Sequence, residues 1–113
     1  MRLAARTDAR HAEIRDGLRD LGLAVSDTSR LGGGYPDLHV SLAGFAALVE
    51  VKSPGGRLTP AEARFAESWQ GPLVIARTLR EAVDQFYELR RLAGYAPDDP
   101  LWYRAWEKGD PPR

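Results

Sequence analysis

Two carboxylates and one amine are spaced along this 113-residue chain so that a hairpin would bring them together. Asp37 precedes one run of strand-forming residues, and Glu50 and Lys52 end the next run. Ala43 and Gly44 form the turn-like pair between the two runs, so a two-residue hairpin loop there places Asp37 opposite Glu50. Lys52 then lies on the same face as Glu50, because side chains alternate along a strand.

Opposed carboxylates on one face of a hairpin repel each other. At about 5 Å and an effective dielectric constant of about 20, the repulsion is roughly 3 kcal/mol between full charges. A divalent cation bound by Asp37, Glu50 and the main-chain carbonyl of Val51 would offset it. Because the chain has no cysteine, oxygen or imidazole ligands are expected, which favours Mg²⁺ or Mn²⁺. The alternative is a salt-bridge cluster of the two carboxylates with Lys52 and His39, without metal.

The pattern of the hairpin orients these groups. One face is apolar throughout and is predicted to face the core; it consists of Leu38, Val40, Leu42, Phe45, Ala47, Val49 and Val51. The opposite face has its polar residues concentrated at the open end, where Asp37, Glu50 and Lys52 lie. A register in which Leu38 pairs with Val49 is therefore expected.

The other predicted elements are delimited by helix caps and by glycine and proline breakers. They are a helix from Thr7 or Asp8 to about Gly22, a strand over 23–26, a glycine-rich loop over 31–35, a helix from a capping box at Thr59 to about Trp69, a strand over 73–76, and a helix from a capping box at Thr78 to about Ala93. This order predicts an α/β fold with a mixed central β-sheet flanked by helices.

Composition limits the classes of function. Sixteen basic and sixteen acidic residues balance, so only the local distribution of charge argues for a nucleic-acid partner. No apolar stretch approaches the roughly 20 residues that span a bilayer, and no signal-like region begins the chain, which predicts a soluble, cytoplasmic protein without membrane contact. One domain over 1–93 is expected, followed by a proline-rich and aromatic tail over 94–113 that packs on the domain, on a dimer partner or on bases.

Two motifs around the charged groups match a known pattern. The first is Gly34-Tyr35-Pro36-Asp37-Leu38, and the second is Glu50-Val51-Lys52, a glycine-containing loop, and Leu58-Thr59-Pro60 at the start of the next helix. Together they resemble the VRR-NUC branch of the PD-(D/E)XK nuclease superfamily over roughly residues 32–69. The resemblance implies a restriction-endonuclease-like fold with the element order αβββαβα.

The resemblance also implies a reaction, Mg²⁺-dependent or Mn²⁺-dependent cleavage of phosphodiester bonds in DNA. Asp37 and Glu50 would be metal ligands, with the Val51 carbonyl as a main-chain ligand. Lys52 would orient the attacking water and stabilise charge on the phosphate. An acidic residue of the first helix often completes the metal shell in this superfamily, which makes Glu13 a further catalytic and metal-binding candidate.

One residue departs from the family pattern. VRR-NUC proteins commonly have a glutamine in the helix after the lysine, where this chain has Glu62. Glu62 is expected to close a capping box with Thr59, and it would also add negative charge beside the site. His39, on the polar face of the hairpin, could act as a proton relay beside the site, but an ordinary surface-strand histidine is the favoured explanation.

Contacts with DNA are predicted in two loops. Gly33 and Gly34 would let a phosphate backbone approach closely, or simply connect two elements. Tyr35, Arg30 and Arg57 would form a local basic and aromatic rim.

These features favour a small metal-dependent DNA endonuclease acting on branched or otherwise structured DNA. A homodimer is expected, because two copies would place two sites on two strands. The alternatives are a nuclease-fold module that binds DNA or a protein partner without cutting, and a structural protein whose carboxylates only form salt bridges.

Overall fold

The predicted order of elements is confirmed in a computed structural model, which describes residues 2–95 and Tyr103, with side chains described from residue 9 onwards. The elements are α1 (Arg2–Asp20), β1 (Ala24–Asp27), β2 (Leu38–Leu42), β3 (Phe45–Val51), α2 (Pro60–Ser68), β4 (Leu73–Ala76) and α3 (Leu79–Leu92). The protein is therefore α/β, with three helices flanking one four-stranded sheet in the described residues.

The sheet is mixed, with the strands in the order β1-β2-β3-β4. β1, β2 and β3 pair antiparallel, whereas β3 and β4 pair parallel through a crossover that contains α2. The predicted hairpin register is confirmed, because Leu42 pairs with Phe45 and Leu38 with Val49. Ala43 and Gly44 both have positive φ angles, 46° and 89°, as a type I′ two-residue turn requires.

The apolar face of the hairpin forms the core. Leu38, Val40 and Val49 are at most 1% exposed and pack in one cluster with side chains of α1 and α3, including Leu18 and Phe86. Leu48 is also buried, but it lies outside that cluster, as expected for a residue on the opposite face. This second face, on the side of α2, is the one that carries Glu50 and Lys52.

Two predicted helix starts needed correction, whereas a third was confirmed. The first helix begins at Arg2, because Thr7 and Asp8 are accommodated inside it at the small cost of their helix propensity. The capping box at Thr59 is complete. At Thr78 only half of a box forms: the threonine side chain accepts the Glu81 N–H, but the Glu81 carboxylate accepts the N–H of Arg77.

Of the predicted tail over 94–113, the structure describes Gly94, Tyr95 and Tyr103. Tyr103 is 3% exposed, and its ring stacks on Tyr87 at a centroid distance of 4.1 Å, so this residue packs on α3 of the same domain. Trp102 and Trp106, the other aromatic residues predicted to pack there, lie outside the described residues. None of the helices in the described part of the chain is both long and apolar enough to cross a membrane.

Candidate active site

The main predicted site residues meet in one pocket of about 480 Å³. The pocket opens where β2 begins and β3 ends, and it is flanked by α1 and by the first turn of α2. Its lining residues are His11, Arg15, Asp27, Ser29, Arg30, Asp37, Glu50, Val51, Lys52 and Glu62. The predicted convergence of Asp37, Glu50 and Lys52 is thus observed.

Asp37 reaches the site by contacting the backbone of the neighbouring strand. Its Oδ2 accepts the Val51 N–H at 2.9 Å. Continuing the hairpin register beyond Leu38 and Val49 places Pro36 opposite Val51, and proline has no N–H to donate. Because the N–H and C=O of an extended residue point to the same side of the strand, we expect the Val51 carbonyl to face Asp37 as well.

Glu50 lies deeper, and its side chain is 6% exposed. Burial raises the pKa of Glu50 to about 8, and the negative charges of Asp37 and Glu62 add to the effect. Burial also raises the pKa of Asp37, although the hydrogen bond from Val51 opposes the change. The two carboxylates therefore share a space in which a cation would lower the free energy of their charged forms.

Lys52 is held between two carboxylates. Its Nζ lies 2.5 Å from Oε1 of Glu62 and 3.5 Å from Oε2 of Glu50. Burial lowers the pKa of Lys52, but the hydrogen bond and charge of Glu62 outweigh burial and hold it above its ordinary value. Burial likewise raises the pKa of Glu62, and the hydrogen bonds from Lys52 and from Thr59 reverse that effect. Lys52 and Glu62 therefore form an ion pair at neutral pH.

The donor set fits a hard divalent cation. Mg²⁺ is usually bound by one or two carboxylates, with water and substrate phosphate completing its octahedron. Asp37 and Glu50 supply two carboxylates, and Val51, whose N–H donates to Asp37, lines the same pocket. Within the described residues no group of three or more carboxylate and imidazole side chains is arranged around one point, so a bound ion would depend on the main chain and on the substrate as well.

The first helix contributes different residues from the one predicted. Glu13 is exposed and does not line the pocket, so its role as a ligand stays a prediction that the geometry does not support. His11 and Arg15 line the pocket instead. They lie one helical turn apart on the side of α1 that carries the buried Ile14, and this spacing is the signal that could have identified them.

Asp27, at the end of β1, holds these two side chains in place. Its Oδ2 lies 3.0 Å from Nε2 of His11 and accepts a hydrogen bond from Arg15 at 3.2 Å. Its Oδ1 accepts both the hydroxyl and the N–H of Ser29. The Ser29 hydroxyl is the largest of the effects that keep the pKa of Asp27 well below its ordinary value, although burial opposes them. Sequence patterns did not indicate Asp27 or Ser29, since an aspartate at a strand end is common.

The predicted DNA contacts separate into two groups. Arg30 lines the pocket. Gly33, a little further along the same loop, is exposed, and a Cβ added there would meet no atom within 4 Å. Gly34 has a different reason to be glycine, because a Cβ there would collide with the main chain of Ala61 in α2.

Three further predicted residues lie away from the pocket lining. Tyr35 packs edge-on against Phe65 at 5.1 Å, which gives it a structural role. Arg57 and His39 are exposed. A role for Arg57 in DNA binding stays a prediction, and for His39 the reading as a surface histidine agrees with its position.

Comparisons with known proteins add no relative: no protein-family model matches the sequence, and no curated protein is significantly similar to it. The function must therefore be inferred from the residues in the pocket and from their geometry.

Proposed function

We propose that this protein is a metal-dependent nuclease of the PD-(D/E)XK type, in its VRR-NUC branch, that hydrolyses phosphodiester bonds in DNA. The observation that carries the proposal is the convergence of Asp37, Glu50 and Lys52 on one pocket at the open end of the hairpin. Two carboxylates crowded in a partly buried site beside one amine lower the stability of the fold, and this cost favours a functional reason for their presence.

The carboxylates would hold Mg²⁺ or Mn²⁺, with the Val51 carbonyl as an additional donor. When bound, such an ion supplies a Lewis acid for the phosphate and lowers the pKa of a bound water. Asp37 is fixed by the Val51 N–H, so its second oxygen can point into the pocket without a change in the backbone. Lys52 provides a compact positive charge next to the position where negative charge develops on the phosphate.

The neighbourhood of the carboxylates supports a phosphate ligand. Arg30 and Arg15 line the same pocket, and His11 stands beside them. Although the chain as a whole is neutral, this local concentration of donors offers a place where a DNA strand and the carboxylates could meet. We further propose that the substrate is branched or otherwise structured DNA and that the protein acts as a homodimer with two such pockets.

The test is a cleavage assay with purified protein on linear, flapped and four-way-junction DNA, in Mg²⁺, in Mn²⁺ and in EDTA. We expect cleavage that needs the metal and that falls at least about a hundredfold in Asp37→Asn and in Lys52→Ala, since each removes a contact worth several kcal/mol to the transition state. Glu67→Gln is the matched control, because Glu67 is an exposed carboxylate of α2 outside the pocket.

Three outcomes are informative against the proposal. Cleavage that survives in both pocket variants would come from a contaminant or from another site. DNA binding without cleavage in either metal would favour the non-cutting module. Neither binding nor cleavage, together with no thermal shift on adding Mn²⁺, would favour a salt-bridge cluster with a structural role.

A further inference from the structure

One oxygen atom of Glu62 contacts two groups that belong to different parts of the fold. Oε1 accepts the N–H of Thr59 at 2.8 Å, at the start of α2, and the same atom lies 2.5 Å from Nζ of Lys52, just beyond β3. The Glu62 N–H in turn donates to the Thr59 hydroxyl at 3.2 Å. The helix cap thus holds the Glu62 carboxylate in the position from which it contacts the Lys52 amine.

Glu50 gives Lys52 a weaker hold. Its oxygen is 3.5 Å from Nζ, beyond the 2.7–2.9 Å range of strong charge-assisted hydrogen bonds, whereas the distance to Glu62 indicates close contact. A lysine side chain has a flexible four-carbon stem and loses rotamer entropy when it is fixed. An anchored carboxylate is therefore what keeps this ammonium in one place beside the carboxylate pair.

We propose that Glu62 is a positioning residue, which holds the Lys52 ammonium at the edge of the Asp37 and Glu50 pair and so couples the start of α2 to the reacting phosphate. The part of the proposal that concerns cleavage rests on the proposed nuclease function. The part that concerns the place of the Lys52 amine rests only on the two contacts of Oε1.

The chain offers variants that separate positioning from helix capping. Glutamine keeps the capping box and offers an amide oxygen to Lys52, whereas alanine offers neither. Thr59→Ala removes the hydroxyl half of the cap but leaves the Thr59 N–H and the Lys52 amine on the Glu62 carboxylate. A purely structural role predicts that Glu62→Ala and Thr59→Ala behave alike.

The first experiment measures the Lys52 amine directly. The chain has only two lysines, so mass spectrometry after brief treatment with acetic anhydride reports acetylation of Lys52 against Lys108 as an internal reference. We expect slow acetylation of Lys52 in the wild type and in Thr59→Ala, a several-fold faster reaction in Glu62→Ala, and an intermediate rate in Glu62→Gln. An unchanged ratio in Glu62→Ala, with the protein folded by circular dichroism, would overturn the proposal.

The second experiment uses steady-state cleavage. We expect kcat to fall on the order of tenfold to a hundredfold in Glu62→Ala with KM little changed, as for a misplaced catalytic group, and to recover largely in Glu62→Gln. Cleavage by Glu62→Ala that equals or exceeds that of the wild type would show that catalysis does not need Glu62 to position Lys52, and would overturn the part of the proposal that concerns cleavage. If the wild type does not cut DNA at all, the nuclease function fails, while the acetylation ratio still decides whether Glu62 positions the amine.

Discussion

Replacing Glu50 with glutamine should make the metal-free protein more stable. Glu50 is 4% exposed, and burial with the nearby charges of Asp37 and Glu62 raises its pKa from 4.5 to about 8. Lys52 is the cation that faces it, and it opposes this rise only in part. The folded metal-free protein thus keeps a proton on Glu50 at neutral pH, whereas the unfolded chain has released it.

The direction and the size of the change in stability both follow from this difference in protonation. Because the folded-state pKa is the higher one, the stability from Glu50 is fully present below pH 4.5 and is lost as the pH rises towards 8. At pH 7 the wild type has lost about 3 kcal/mol in this way, at 1.36 kcal/mol for each pH unit above the unfolded-state pKa. Glutamine has no proton to lose, so Glu50→Gln should raise the free energy of unfolding by up to about 3 kcal/mol at pH 7 and by close to zero at pH 4.

Urea denaturation in EDTA at several pH values measures the effect, followed by circular dichroism. Glu67→Gln, on the exposed side of α2, controls for the general effect of removing one negative charge. Adding Mg²⁺ should then stabilise the wild type by about 1.4 kcal/mol for each tenfold excess over its Kd, and should leave Glu50→Gln nearly unchanged. A variant that is less stable than the wild type at pH 7 in EDTA, or equally altered at pH 4 and pH 7, would refute the reasoning.

Three further predictions concern the elements around the pocket. Gly34→Ala should lower the free energy of unfolding by more than about 2 kcal/mol, because its Cβ meets the Ala61 main chain, whereas Gly33→Ala has positive φ but open space and should cost about 1 kcal/mol in the same urea titration. Asp27→Asn should lower the free energy of unfolding by about 1 kcal/mol at pH 7, a value reduced for the partial exposure of the side chain. The difference from the wild type should shrink below about pH 4, because protonation of the wild-type carboxylate removes the stabilisation that accompanies its lowered pKa. Thermal melts across that pH range measure this change. Glu13→Gln should leave the Mg²⁺-induced rise in Tm intact, because its side chain is exposed and outside the pocket; loss of that rise would restore Glu13 to the ligand set.

Local patterns were sufficient for the framework of the site. The alternation of apolar residues between Leu38 and Val51 has only one register that buries them all, and the turn at Ala43 and Gly44 leaves two residues for the loop. The capping box at Thr59 is a contact within four residues, so its residues predict it without reference to the rest of the fold. The predictions of the hairpin register and of the capping box were both confirmed, because the interactions that determine them connect residues close together in the sequence.

The role of the first helix could not be predicted in the same way. Periodicity identifies Ile14 and Leu18 as the buried side of α1, but how far the helix rotates about that side depends on its packing against α3 and the sheet. A modest rotation exchanges the residues at the edge of the stripe. Packing brings His11 and Arg15 into the pocket and leaves Glu13 in solvent.

The sequence alone determined the chemical types of side chain in the site and the strand register that aligns them, because both depend on neighbours along one hairpin. The burial of Glu50, the contact of Lys52 with Glu62 and the choice of His11 over Glu13 were decided only by the tertiary structure. The contact of Lys52 with Glu62 joins two different elements, and the other two features depend on how the helices lie on the sheet. Their energies come from desolvation and from charge pairs across the pocket, which have no counterpart in local sequence patterns.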